Sequence, residues 1–323
     1  MTRLALVLMG MVLLAGCGGG DDDGGGSGDN VDLTQKKDVT IAMVTHGDGG
    51  SFWSVAKKGA EQAAKDMGVT LKYSESNNDP EEQAQMIEAA VSEGVDGLAV
   101  SAPNPDAIQE AVKTAVDAKI PVITLNSGAE ESASLGAITH VGQTETIAGQ
   151  GAGKKLKDAG VTKLICVIHE QGNVGLNQRC DGAKQGFGGD VENVQVTGTN
   201  DISTTLTEIQ SKLESDDSID GVLTLNPDIA VAARDAIAGA GSEAKLATFD
   251  LSGDVIKAIN DDEILFAVDQ QQYLQGYLPV VFLTLNKTNL NTVGGGRVVL
   301  TGPGFVDKSN AAAIQKLADA GTR

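Results

Sequence analysis

The sequence predicts an α/β protein of two similar lobes, each a doubly wound and mainly parallel sheet covered by helices. Three observations predict it. Short apolar runs rich in β-branched residues alternate with segments of helical periodicity, the pattern of a parallel sheet with helical crossovers. One such series runs up to Gly142, and a second begins after it. The chain has 323 residues, more than one hydrophobic core usually organises.

The elements follow in order. DVTIAMVTH (38–46) is a short buried strand, and SFWSVAKKGAEQAAKDMG (51–68) is a helix stopped by glycine. VTLKYSES (69–76) is a strand, and DPEEQAQMIEAAVSEG (79–94) is a helix with proline at its start. VDGLAVSA (95–102), NPDAIQEAVKTAVDAK (104–119) and IPVITLNS (120–127) continue as strand, helix and strand. The second series starts with the helix 144–160 and the strand VTKLICVIHE (161–170). Helices are then expected at 174–188, 202–215, 227–241 and 252–261, with strands at 191–199, 219–226, 244–250 and 264–270 between and after them. A long helix (273–287), a glycine-rich turn (293–297), a short strand (298–302) and a helix (310–321) close the chain.

The N-terminus reads differently. One cation, Arg3, precedes an apolar run from Leu4 to Ala15, too short for the roughly 20 residues of a membrane span and suited to the core of an export signal. Leu14-Ala15-Gly16-Cys17 resembles a bacterial lipobox, in which cleavage before the cysteine is coupled to lipidation of its thiol. The alternative is an ordinary signal peptide that contains a cysteine. Residues 18–30, GGGDDDGGGSGDN, have almost nothing to bury and read as a tether. The expected organisation is therefore a lipoprotein signal at 1–16 and a lipid-anchored linker at 17–37. A first lobe follows at 38–143 plus 271–297, and a second at 144–270 plus 298–323. The body is expected outside the cytoplasm, anchored to the membrane.

Acidic residues outnumber Lys and Arg by 44 to 24, a surface that repels nucleic-acid phosphates. Apart from Cys17 there are two cysteines, Cys166 and Cys180, which an oxidising compartment allows to pair; otherwise they are small buried hydrophobes. No cofactor or metal is expected. The three histidines, His46, His140 and His169, show no H-E-x-x-H spacing, G-x-S-x-G is absent, and GQGAGK lacks the Ser or Thr of a P-loop. These features argue against an enzyme.

Open parallel sheets bind ligands beyond the carboxyl ends of their strands. The residues there are His46, Ser101, Asn126, Glu170, Asn226, Asp250 and Gln270, all able to hydrogen-bond. Seven such residues in register across both halves suggest a hydroxyl-rich ligand held between facing sheets, although loops are polar in any case.

The segments IAMVTHGDGGSFWSVAKKGAEQAAKDMGV, GVDGLAVSAPNPDAIQEAVKTAVDAKIPVITLNS, NQRCDGAKQGF and LATFDLS resemble the ribose- and galactose-binding proteins that feed bacterial ABC importers. The resemblance implies two Rossmann-like lobes joined by a three-segment hinge, with a monosaccharide in the cleft and ABC permease subunits as partners. It implies an aromatic pair at Phe52 and Trp53, to cover the apolar faces of a sugar ring. It places a sugar-binding arginine at Arg179, whose planar fork can clamp adjacent hydroxyls. It places a Phe-Asp pair at Phe249 and Asp250, an asparagine at Asn226, and a pocket-lining loop position at Glu170. The hinge glutamine falls on Gln270, with Asp269 and Gln271 one register away. Four places depart from the pattern. Gly50 and Ser101 each stand for an asparagine, Asn126-Ser127 for an Asp-Arg pair, and His46 for a small polar residue. The expected ligand is thus a monosaccharide or similar polyol of undetermined identity, bound by a monomer. A DNA-binding repressor of the same fold is excluded by the N-terminus, whereas a receptor that presents a sugar-like signal to a membrane sensor is not.

Overall fold

A computed structural model describes residues 38–323; the signal (1–16), Cys17 and the linker (17–37) lie outside the described residues. The first series folds as β1 (Thr40–Thr45), α1 (Ser51–Met67), β2 (Thr70–Glu75), α2 (Pro80–Ser92), β3 (Gly97–Ser101), α3 (Pro105–Asp117), β4 (Val122–Asn126) and β5 (Thr139–Gly142). The second is α4 (Glu145–Asp158), β6 (Lys163–Ile168), α5 (Val174–Phe187), β7 (Asp190–Gln195), α6 (Ile202–Ser215), β8 (Gly221–Thr224), α7 (Pro227–Gly239), β9 (Lys245–Phe249), α8 (Gly253–Asn260) and β10 (Phe266–Asp269). Then come α9 (Gln272–Asn289), β11 (Val299–Leu300), β12 (Gly304–Asp307) and α10 (Ala311–Asp319).

Two six-stranded sheets result, in the orders β2-β1-β3-β4-β5-β11 and β7-β6-β8-β9-β10-β12. Their matching orders make the lobes pseudo-equivalent. All pairings are parallel except β10 with β12. Strands β1, β3 and β4 are buried throughout or nearly so, which explains their unbroken apolar runs. Each sheet carries a core on both faces. In the first lobe α1 and α9 cover one side and α2 and α3 the other; in the second, α4 and α5 face α6, α7, α8 and α10 across the sheet.

Helices α4 and α5 cross at unusually close range. A Cβ at Gly149 would lie 2.1 Å from the Arg179 carbonyl oxygen, and one at Gly182 would lie 2.2 Å from that of Thr146. Only glycine permits this approach, and it sets where Arg179 on α5 meets the first turn of α4. The Cys166–Cys180 disulfide, with Cα atoms 5.8 Å apart, ties β6 to the same helix.

The chain passes between lobes three times: after β5, after β10 and after β11. The third crossing comes after Leu300 rather than after Arg297. Residues 298–300, expected in the second lobe, place β11 beside β5 in the first sheet, with Val299 paired to Val141. Hydrophobic periodicity says that a strand exists but not which sheet edge it joins. Two strands were not anticipated. β5 carries only one aliphatic residue among THVG, and β12 only Phe305 and Val306 among GFVD, too little for a period to show.

Candidate functional site

The carboxyl ends of the two sheets face each other across the cleft, and a small cavity lies between them. Nine of the ten residues expected at a binding site line it: His46, Phe52, Trp53, Asn126, Glu170, Arg179, Asn226, Asp250 and Gln270. Ser127, His169, Asn173, Leu176 and Leu225 complete the wall. Ser101 does not line it. It sits fully buried beneath His46, with its hydroxyl 2.7 Å from His46 Nδ1 and accepting from the His46 backbone N–H at 2.9 Å. Its expected ligand contact is thus corrected to a supporting position.

The aromatic wall belongs to both readings of those residues. Phe52 and Trp53 open α1, are almost fully buried in the first-lobe core, and still border the cavity. Trp53 meets Phe52 and the His46 ring edge to face, with centroids 5.0 and 4.8 Å away. The first-lobe floor is polar. Asn126 ends β4 in the left-handed region (φ 62°), and its amide donates to Gln275 Oε1 at 3.3 Å.

The second lobe supplies the charges. Arg179 is buried, but its fork does not face the cavity as expected. Nε and one terminal nitrogen close on Glu145, at 2.6 and 3.1 Å, and the guanidinium stacks on Phe249 at 4.7 Å. The remaining nitrogen donates to the Leu225 carbonyl at 3.3 Å and stands 3.8 Å from Asp250 Oδ2. Glu145, in the first turn of α4, was not expected here: it stands neither at a strand end nor at a position that the family resemblance marks. Asp250 occupies the position of Asn126 in the second lobe, just past β9 and also left-handed (φ 70°). It does not cap α8; Ser252 does. Burial raises the Asp250 carboxyl from 3.8 to about 7, against the pull of Arg179 and of a 2.8 Å hydrogen bond from Gln270. Arg179 supplies the strongest opposing pull, and the nearby Glu145 and Asp269 carboxylates work against it.

Gln270 is the hinge glutamine that faces the cavity. Gln271 instead donates to the Thr301 carbonyl on the third crossing, and Asp269 pairs with Arg323. Asn226 spends its side-chain oxygen on the first N–H groups of α7. Its amide nitrogen is what it can offer the cavity. Burial opposes ionisation of Glu170, but hydrogen bonds from His169 and Asn173 and the electrostatic pull of the neighbouring His46 and His169 rings outweigh it, bringing the carboxyl down to about 2. His46 is lowered, mainly by burial, so its ring is neutral at pH 7. Asn173 was also missed. It caps α5 and binds Glu170 Oε2 at 2.5 Å, and its only signal is an asparagine just ahead of a helix.

The lobes touch around the cavity. Ser51, at the start of α1, gives its N–H and hydroxyl to Asp228 of α7 at 3.1 and 2.6 Å. The Thr199 hydroxyl donates to Asp48, and the Val174 N–H donates to the Pro103 carbonyl at 3.0 Å. A Cβ at Gly50 would come within 2.9 Å of Asp228 Oδ2. Glycine at this departure from the family pattern therefore leaves room for the cross-lobe carboxylate.

In sequence and fold the chain is similar to known proteins. The family model described as periplasmic binding protein domain matches residues 41–285. The ribose import binding protein of Haemophilus influenzae is 27% identical over 248 residues, covering 75% of this chain and 83% of that protein. That of Bacillus subtilis is 29% identical over 252 residues, covering 75% and 80%. A solved structure of a carbohydrate transporter from Acidothermus cellulolyticus 11B, in complex with myo-inositol, is 45% identical with a TM-score of 0.87. It covers 89% of this chain and 100% of its own. These relatives bind solutes and are not enzymes. The chain therefore belongs to the periplasmic binding protein family, among the extracytoplasmic type I sugar-binding proteins of ABC importers.

Proposed function

We propose that this protein captures a compact, neutral, polyhydroxylated ring, a monosaccharide or a cyclitol of the inositol kind, and delivers it to an ABC importer from a lipid anchor at Cys17. The observation that carries the ligand class is the cavity wall: hydrogen-bonding groups from both lobes, one aromatic face, and carboxylates whose partners are already in place. Asn126, Asn226 and Gln270 suit hydroxyls, which both donate and accept. Trp53 suits the C–H face of a ring. Two donor–acceptor pairs, His46 with Glu170 and Arg179 with Asp250, stand 3.6 and 3.8 Å apart. The acidic wall disfavours phosphates and sugar acids. The 45% identical neighbour holds myo-inositol.

Ligand closes the hinge because the closed state adds contacts that an open cleft lacks. Calorimetry and thermal shift against myo-inositol, ribose, arabinose, galactose and their acid and phosphate derivatives test this reading. A neutral ring should bind and raise the melting temperature, and its charged derivatives should not. Binding of none of the neutral compounds, or preference for an anion, overturns the ligand class. Anchoring is tested separately: Cys17→Ala should move the protein from the membrane to the soluble fraction, and a variant that stays membrane-bound refutes the anchor.

A further inference from the structure

We propose that His46 and Glu170 form a socket for one ligand hydroxyl, one side chain from each lobe, and that Ser101 fixes the His46 proton on Nε2. The socket deepens the polyol reading above and rests on it; the state of the ring does not.

The hydrogen bonds decide the tautomer. A serine oxygen has one proton to give and two lone pairs. At Ser101 one lone pair takes the His46 backbone N–H at 2.9 Å, and the Gln83 amide nitrogen approaches the other at 3.4 Å. That amide is oriented by its 2.8 Å bond to the Ser101 carbonyl. The hydroxyl proton is left for His46 Nδ1, 2.7 Å away. A proton on Nδ1 would give the oxygen a third donor and strand its own O–H in a fully buried place. The neutral ring therefore carries its proton on Nε2, the nitrogen nearer Glu170. Trp53, edge to face at 4.8 Å, holds the ring plane.

Across the cleft Glu170 is a fixed acceptor. Asn173 donates to Oε2 at 2.5 Å, and His169 lies 3.5 Å from Oε1. His46 Nε2 and Glu170 Oε2 are 3.6 Å apart, too far for a hydrogen bond. An oxygen placed about 2.8 Å from each fits the gap, at normal hydrogen-bond length to both. A hydroxyl satisfies both partners, accepting from Nε2–H and donating to the carboxylate. An ether or methoxy oxygen accepts but leaves Glu170 without a proton, and a C–H satisfies neither. The pair therefore reads one position of the ring for a free hydroxyl. It does so only when the lobes are closed, because its halves come from the loop after β1 in one lobe and the loop after β6 in the other.

Two measurements on the purified protein test this. Long-range proton–nitrogen NMR of the histidine rings, with His46→Gln used for assignment, reads the tautomer without ligand. His46 should show Nε2 protonated, and Ser101→Ala should give a mixture. Protonation on Nδ1 overturns the Ser101 argument. Calorimetry with myo-inositol and its monodeoxy and mono-O-methyl derivatives then reads the socket. Changes at one ring position should weaken binding about tenfold to a hundredfold. His46→Leu should abolish that discrimination at that position alone, and His46→Gln, which keeps an N–H near the same point, should restore much of it. Discrimination that survives in His46→Leu, with an unchanged melting curve, overturns the socket. If neither myo-inositol nor the monosaccharides bind, the polyol reading fails and the socket with it, while the NMR result still decides the tautomer.

Discussion

Asp250 is the residue whose environment most directly predicts a measurement. Its carboxyl titrates near 7 in the folded, ligand-free protein against 3.8 ordinarily, because burial disfavours the charge. The folded state therefore holds this proton more tightly than the unfolded state. The resulting stability is complete below about 3.8 and is lost as pH rises through about 7. A hydroxyl donating to the carboxylate favours the ionised form, so binding near pH 7 should release a proton. Calorimetry in buffers of different ionisation enthalpy should show that release, and Asp250→Asn should abolish it. Proton uptake instead would mean that Asp250 donates to the ligand. Beside it, the Arg179–Glu145 pair makes a second prediction. Both groups are buried, so Glu145→Ala leaves a guanidinium without its partner and should destabilise the protein by roughly 3–5 kcal/mol in urea unfolding. A loss under about 1 kcal/mol would show that Arg179 finds another partner, Asp250 being the nearest.

Among the elements, the α4–α5 crossing and the disulfide beneath it are the stiff part of the second lobe. Gly182→Ala adds a Cβ 2.2 Å from a backbone oxygen, so the helices must move apart. Overpacking of this kind typically costs about 1–3 kcal/mol. Because Arg179 lies one turn before Gly182 on the same helix, the substitution should also weaken ligand binding; unchanged affinity would show that the shift is absorbed away from the cavity. The Cys166–Cys180 bond closes a loop with a sequence separation of 14, worth about 3 kcal/mol in the chain-entropy picture. Reduction should lower the urea midpoint accordingly, and an unchanged midpoint would place that stability elsewhere. Both effects were legible only in part. The two cysteines could be paired from their compartment and spacing, whereas the glycines of GQGAGK and DGAKQG read as ordinary helical residues until a second helix is set against them.

For the molecule as a whole, function depends on the balance between open and closed lobes. The Asp228–Ser51 contact contributes to the closed side without lining the cavity. Asp228→Ala should therefore leave the ligand's own contacts intact yet weaken affinity. Hydrogen bonds to charged groups contribute about 1.5–3 kcal/mol, or roughly tenfold to a hundredfold in affinity. The change should appear mainly in the dissociation rate, measured by stopped-flow tryptophan fluorescence, because Trp53 is the only tryptophan and borders the cavity. An unchanged rate would show that the latch does not hold the closed state.

Much of this architecture was written in the order of the residues. Periodicity along one chain reports local conformation and burial, so strands, helices and the doubling of the βα series were readable directly. The rule that ligands gather at strand ends named His46, Asn126, Glu170, Asn226, Asp250 and Gln270, and the resemblance added Phe52, Trp53 and Arg179. Contacts between segments distant in sequence leave no such period. Nothing local says that β11 joins the first sheet, that Glu145 takes the fork of Arg179, or that Ser101 lies under His46 instead of beside the ligand. Those assignments depend on which side chains meet in three dimensions. There the penalty for leaving a buried donor or acceptor unpaired selects the partner.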